Sequence, residues 1–264
     1  VVTESTYSHS GKKKKLNFDI NNYPKFKDKI IYIVIDREPD GIVTENDNPA
    51  LQRSNSLKRI SLSYDESLKA IKKFDDNDFI MLSDNDEIPN LDSYQFLRNK
   101  NDIVIFNQLF FYYKLNLLYD KKIWPGTKGC KKKILKSLSW LKNIKLKKYP
   151  LWRVDTYFSE TRQINLNIIE DGGWHFTNIM SPENMYEKFI NFGHHDEFKL
   201  SGLNINNIRD KINNREMFYD HFADKSSTNK WKSNHKLKTV DLNNLPKYLL
   251  DNKEKYKDWF DLRN

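Results

Sequence analysis

Two short apolar runs that end in acids constrain this chain most. Lys29–Asp36 reads KIIYIVID and Asp78–Ser83 reads DFIMLS. Each is rich in β-branched or bulky apolar residues, strand-sized, and bounded by polar segments, which is the pattern of a buried strand. Between them, Leu57, Ile60, Leu68 and Ile71 recur among charges, so Leu51–Phe74 reads as a helix with Ser63 as a candidate interruption. Val1–Ser5 reads as a strand end, Leu91–Leu97 as a short helix with Asp92 near its positive end, and Asp102–Phe111 and Ile164–Ile169 as strands. Ser181-Pro182-Glu183 supplies an N-cap, a first-turn proline and an early acid for a helix to about Phe192. Asn204–Asn213 reads as another helix. Tyr112–Lys148 is a mixed region with Pro125, Gly126 and Gly129 as turn signals. The alternation predicts an α/β layered fold with a mostly parallel central sheet flanked by helices. With no internal repeat and no strong linker, residues 1–264 read as a single domain. Residues 216–264 read as a C-terminal extension that docks Trp259 and Phe260 on the body.

The 6 Trp, 14 Tyr and 16 Phe exclude disorder over most of the length. A single cysteine, Cys130, excludes a disulfide framework and a cysteine-rich zinc site. No run approaches the roughly 20 apolar residues of a membrane helix. The N-terminus lacks the basic start and apolar centre of a signal peptide. Its opening Val-Val reads as a strand cut from a longer chain. The net charge of +9 is local: residues 121–148 hold 11 Lys and no acid, which leaves the remainder at −2. A second cluster is Lys12-Lys13-Lys14-Lys15. Such runs are either solvated lysines or a face for an anionic partner, such as phosphate, an acidic glycan or a membrane surface. No helix-turn-helix, zinc-finger or RNA-recognition signature accompanies them, which argues against nucleic acid.

Three constellations carry chemistry. In FIMLSDNDEIP, Asp84 and Asp86 flank Asn85 just past a buried strand, where residues emerge into a ligand crevice. Two carboxylates on a turn suit a hard cation, Mn²⁺ or Mg²⁺, completed by substrate phosphates. A turn followed by a helix cap would carry the same residues. In Gly172-Gly173-Trp174-His175-Phe176, the glycines permit close backbone approach, the Trp face suits a sugar ring, and His175 suits a metal or a phosphate. A buried Trp and a satisfied His are the plain alternative. His194-His195-Asp196-Glu197 offers a base and a metal ligand, or only a polar turn.

VVTESTYSHSGKKKKLNF, KIIYIVID, FIMLSDNDEIP, GWHF and the helix after Ser181-Pro182-Glu183, in this order, resemble glycosyltransferase family 17. That family includes the enzyme adding the bisecting N-acetylglucosamine to N-glycans. The resemblance spans residues 1 to about 215. It implies a GT-A-like, Rossmann-type domain and an inverting transfer from a UDP-sugar, first of all UDP-N-acetylglucosamine, to a glycan acceptor. Asp84 and Asp86 would then hold the metal, with His175 or His195 completing its shell. Glu197, with Asp196 behind it, would take the acceptor proton. Glu4, Ser5, Lys14, Asp36, Arg53, Asn85 and Glu87 would serve the donor, and Trp124 and Trp174 the acceptor. Eukaryotic relatives are anchored in the Golgi. The Lys- and Asn-biased composition points instead to a microbial or viral, cytoplasmic enzyme, soluble or peripheral at a membrane through 121–148.

Two other classes compete. A metal-dependent nucleotidyl- or phosphotransferase would use the same Asp pair but predicts a phosphate-gripping glycine loop, and the chain has neither GxxxxGK[ST] nor GxGxxG. A non-catalytic binder of anionic glycan or nucleic acid predicts steep salt dependence and indifference to metal.

Overall fold

The computed structural model describes residues 1–43, 48–146, 152–154, 158–161, 165–223 and 230–263. In chain order the elements are β1 (Val2–Ser5), β2 (Tyr32–Ile35), α1 (Pro49–Ile71), β3 (Phe79–Leu82), β4 (Glu87–Pro89), α2 (Tyr94–Leu97), β5 (Ile103–Tyr112), β6 (Leu117–Leu118) and β7 (Trp124–Lys131). There follow α3 (Leu138–Asn143), β8 (Leu166–Ile169), β9 (Gly173–Thr177), α4 (Pro182–Phe189), α5 (His195–Ser201), α6 (Ile205–Asn213), β10 (Lys238–Thr239) and α7 (Lys247–Asp251). No helix among the described residues is long and apolar enough to cross a membrane.

The chain forms two compact units: residues 1–74, 137–139 and 183–205, and residues 75–136, 140–182 and 206–264. In the first, β1 pairs in parallel with β2, Glu4 opposite Val34. Helix α1 is preceded by Asn48, whose side chain caps the amide of Ala50, and continues through Ser63 without a break. The Ser63 hydroxyl bonds back to the Arg59 carbonyl, which lets a serine sit inside the helix.

The second unit holds an eight-stranded sheet that runs mostly antiparallel, and this corrects the expected parallel Rossmann-type sheet. Its central path is β10-β6-β5-β7-β3. Every pairing along that path is antiparallel, as is β4 with β9. Only β8 and β9 run parallel to β5. Two physical reasons account for the difference. The KIIYIVID run is not a neighbour of FIML: it forms β2 of the small parallel pair. And the region with turn signals, 112–148, contains β7, which returns antiparallel against both β5 and β3. Glycine and lysine conceal that strand in the sequence. At Gly129 a side chain would meet the Phe79 ring at 2.4 Å, and at Gly126 the Gln108 amide oxygen at 1.9 Å.

Strand β5 is buried on both faces. Ile103 and Ile105 pack with Cys130, Trp140, Leu141, Ile144 and Leu166. Val104 and Phe106 pack with Ile169, Phe79 and Phe96 on the other side. Toward its end, Phe111 packs with Leu115, Leu245 and Phe260. Burial also pushes the Cys130 thiol up to about 12, which leaves it an inert core residue.

Candidate functional site

In the second unit, the acidic tripeptide sits on the turn that joins β3 to β4. The amide of Glu87 donates to the carbonyl of Asp84 at 3.1 Å, closing a four-residue turn. Glu87 then opens β4, opposite His175 on β9, and His175 lies opposite Phe110 on β5. Residues directly opposite one another share a sheet face. Glu87, His175 and Phe110 therefore form one row, and the imidazole stacks on the Phe110 ring at 4.7 Å between centroids. Trp124 packs on the same imidazole at 4.5 Å and donates its indole N–H to Glu87 Oε1 at 2.9 Å. The two glycines of the GGWHF motif serve the sheet. A Cβ at Gly172 would meet the Asn107 backbone, and one at Gly173 the Ile88 carbonyl.

The three acids of this turn differ in environment. Glu87 has a fully buried side chain, bonded to Trp124 and to the backbone amide of Asp84. Asp84 is about half open and is held by Lys142 Nζ at 2.7 Å. Asp86 is partly open, with its Oδ2 3.3 Å from His175 Nε2. Asn85 is exposed at the tip. Among the described residues, no three His, Cys, Asp or Glu side chains gather as a self-sufficient metal site would require. Two accessible carboxylates on one turn do fit a hard cation that takes its other ligands from phosphate and water. The imidazole fits less well. His175 Nδ1 is buried without a hydrogen-bond partner, whereas a metal-bound imidazole anchors its second nitrogen on an acceptor. Trp174 lies on the opposite face, its indole donating to the Asn244 carbonyl, so the structure does not bring it together with Trp124.

Several residues at this site carry no sequence signal. Lys128 and Lys142 come from the basic segment, where lysines read as surface. Burial, aided by Lys142, pushes Lys128 down to about 8. Its Nζ donates to the carbonyls of Lys142 and Ile144. His221 packs edge-on against Phe110 and Trp124 and pairs with the Tyr112 hydroxyl at 2.5 Å. Burial, then Lys122 and His175, pushes it down to about 3, so it is a neutral imidazole. Lys147 and Lys148, the end of the basic segment, lie outside the described residues.

The first unit holds the other expected residues. Burial works to raise Glu4, but Lys14 at 2.6 Å and the amides of Phe18 and Asn17 hold it below its usual range. Tyr32 also donates to it. Ser5 accepts from the Tyr7 amide, and Asp36 binds Lys13 and Thr6. Arg53 donates to the Gly193 carbonyl and, at 3.0 Å, meets His194 Nε2. A guanidinium can only donate, so His194 Nε2 accepts and Nδ1 carries the proton. That N–H points at Glu197 Oε1, 3.1 Å away. Arg53, His194 and Glu197 thus form a directed chain that orients the carboxylate. Asp196 has one buried oxygen without a hydrogen-bond partner. His195 is buried with Nδ1 donating to the Phe192 carbonyl, and burial lowers its pKa.

No curated protein and no solved structure matches the chain. The model of glycosyltransferase family 17 matches residues 1–260, nearly the whole sequence. The chain therefore belongs to glycosyltransferase family 17 and is a glycosyltransferase.

Proposed function

We propose that this glycosyltransferase moves a sugar, N-acetylglucosamine first of all, from a UDP-sugar to a glycan hydroxyl with inversion, assisted by Mn²⁺ or Mg²⁺. The observation that carries the reading is the acidic turn 84–87, where Glu87 is locked while Asp84 and Asp86 stay accessible. The acceptor oxygen attacks the anomeric carbon, the bond to the diphosphate breaks, and its electron pair leaves with the phosphate oxygen. Asp84 and Asp86 are the residues that would hold the cation, which when bound supplies Lewis-acid stabilisation of the diphosphate charge. Glu87, tied to Trp124 and to the Asp84 amide, keeps the turn in shape. Trp124 is the aromatic surface proposed for the acceptor sugar. Glu197 is the carboxylate proposed to take the hydroxyl proton, oriented by His194.

Calorimetry with a panel of UDP- and GDP-sugars, each with Mn²⁺ and with chelator, tests this. UDP-N-acetylglucosamine should bind at least about tenfold more tightly with Mn²⁺, a difference of about 1.4 kcal/mol. Metal-dependent binding of another UDP-sugar would change the donor and keep the chemistry. Equal binding with chelator would reject the metal role.

A further inference from the structure

We infer that two lysines of the basic segment serve the leaving diphosphate: Lys142 as the cation that meets it, and Lys128 as the residue that positions Lys142. The inference rests on the proposed nucleotide-sugar donor, because it needs a diphosphate leaving group. Three of the segment's other lysines pair with acids outside this turn: Lys131 with Asp102, Lys132 with Asp76 and Lys136 with Glu160. Lys142 instead reaches from the last turn of α3 into the acidic turn, 2.7 Å from Asp84 and 3.6 Å from Glu87. Lys128, almost fully buried on β7, donates to the carbonyls of Lys142 and Ile144. These are the open acceptors at the end of a helix, where a cation also suits the dipole. Lys128 therefore fixes the backbone from which Lys142 extends.

This arrangement sets Lys142 and a divalent cation in competition for Asp84. A cation held at Asp84 would displace the ammonium from that carboxylate and leave it beside Glu87, 3.6 Å away, on the same turn that would receive the diphosphate. Lysine is a common point-charge partner for phosphate. Removing Lys142 should then have two effects of opposite sign: weaker binding of a diphosphate and tighter binding of the metal alone. A lysine that merely supports the fold would weaken both.

The test measures inorganic pyrophosphate in saturating Mn²⁺, and Mn²⁺ without phosphate, by calorimetry on the wild type and on Lys142→Met, Lys142→Arg and Lys128→Met. Lys142→Met should bind pyrophosphate at least about tenfold more weakly and Mn²⁺ more tightly, while Lys142→Arg stays within about threefold of wild type. Lys128→Met should weaken pyrophosphate alone, yet add nothing in the Lys142→Met background, as expected of two residues acting through one group. The gain in Mn²⁺ affinity is a result that a misfolded variant cannot give. Unchanged pyrophosphate affinity in Lys142→Met, or unchanged or weaker Mn²⁺ binding, overturns the assignment. A wild type that binds pyrophosphate but no uridine nucleotide, with the Lys142 effects intact, rejects the donor and keeps the lysines. Metal-dependent UDP-sugar binding that ignores Lys142 rejects the lysines alone.

Discussion

Glu4, within strand β1 of the first unit, and the acidic turn after β3 of the second hold their charges differently. Glu4 accepts from Lys14, from the amides of Asn17 and Phe18, and from the Tyr32 hydroxyl. Its acceptor capacity is used up in fastening residues 14–18 to the strand pair. In the acidic turn, one acid does that work and the other two do not. Glu87 is buried and bonded, while Asp84 and Asp86 remain partly open beside Lys142 and His175. A carboxylate whose lone pairs are filled by the protein is a fastener. One left open beside a movable cation can exchange that partner for a ligand. Exposure separates the two: the Glu4 and Glu87 side chains are 13% and 0% exposed, those of Asp84 and Asp86 44% and 26%.

The comparison is broken most directly at Asp86. Asp86→Ala should lower transfer on the order of 10³-fold, since a metal-held diphosphate is worth several kcal/mol of charge stabilisation. Its melting temperature should stay close to that of the wild type, because the carboxylate is partly open. Full transfer activity in Mn²⁺ buffer would remove the metal role. Next comes Glu197, a first-unit acid about a quarter exposed and oriented by His194. Glu197→Gln should lose about 10²–10⁴-fold in turnover while donor binding is kept, the range of a lost general base. Normal turnover would show that the Arg53–His194–Glu197 chain is only a fastener, like Glu4.

Much of the second unit's acidic turn is legible in the sequence, because FIML is short, apolar and followed by D-x-D. The helices at α1, α4 and α6 are legible from spacing and caps. What fails is sheet direction. An apolar run announces burial but not its neighbour, and β7 hides as WPGTKGCK because its close contacts with Phe79 and Gln108 require glycine. The inward lysines fail for a related reason. Lysine is mostly an exposed residue, and only the fold shows that Lys128 finds two carbonyls and Lys142 two carboxylates. The directed chain through His194 depends on a contact between α1 and the start of α5, far apart in sequence.

Asp261 extends the fastener class to the chain's end. Its buried carboxylate accepts from Arg215 and from both the guanidinium and the amide of Arg263, while Asn116 bonds its backbone on both sides. Arg263 first, opposed by burial and helped by Arg215, holds its pKa far below the usual carboxylate range. Asp261→Asn keeps the shape and removes the charge. It should cost about 2–3 kcal/mol in urea unfolding at pH 7, near the low end for a broken buried pair because both arginines are partly exposed. The sign follows from linkage. With a folded pKa below the unfolded one, the stabilisation is present above about pH 4 and is lost as pH falls through the folded value. The variant should therefore lose less stability than the wild type on acidification from pH 5 to 3. Parallel acid limbs would show that the arginines are not what stabilises the carboxylate.

The smallest expected effect belongs to Glu4. Glu4→Gln keeps one carbonyl oxygen for the amides of Asn17 and Phe18 but loses the ion pair with Lys14, which is about a third exposed. Pairs of this kind are worth about 1 kcal/mol or less, and salt screens them further. Melting should drop by a few degrees at low salt, on the order of what 1 kcal/mol shifts in a chain of this size, and by less at high salt. Any loss of transfer should track the loss of folded protein. A fall in UDP-sugar affinity under conditions where the variant is fully folded would move Glu4 from fastener to ligand-binding acid. The distinction between filled and open carboxylates would then fail at the residue chosen to define it.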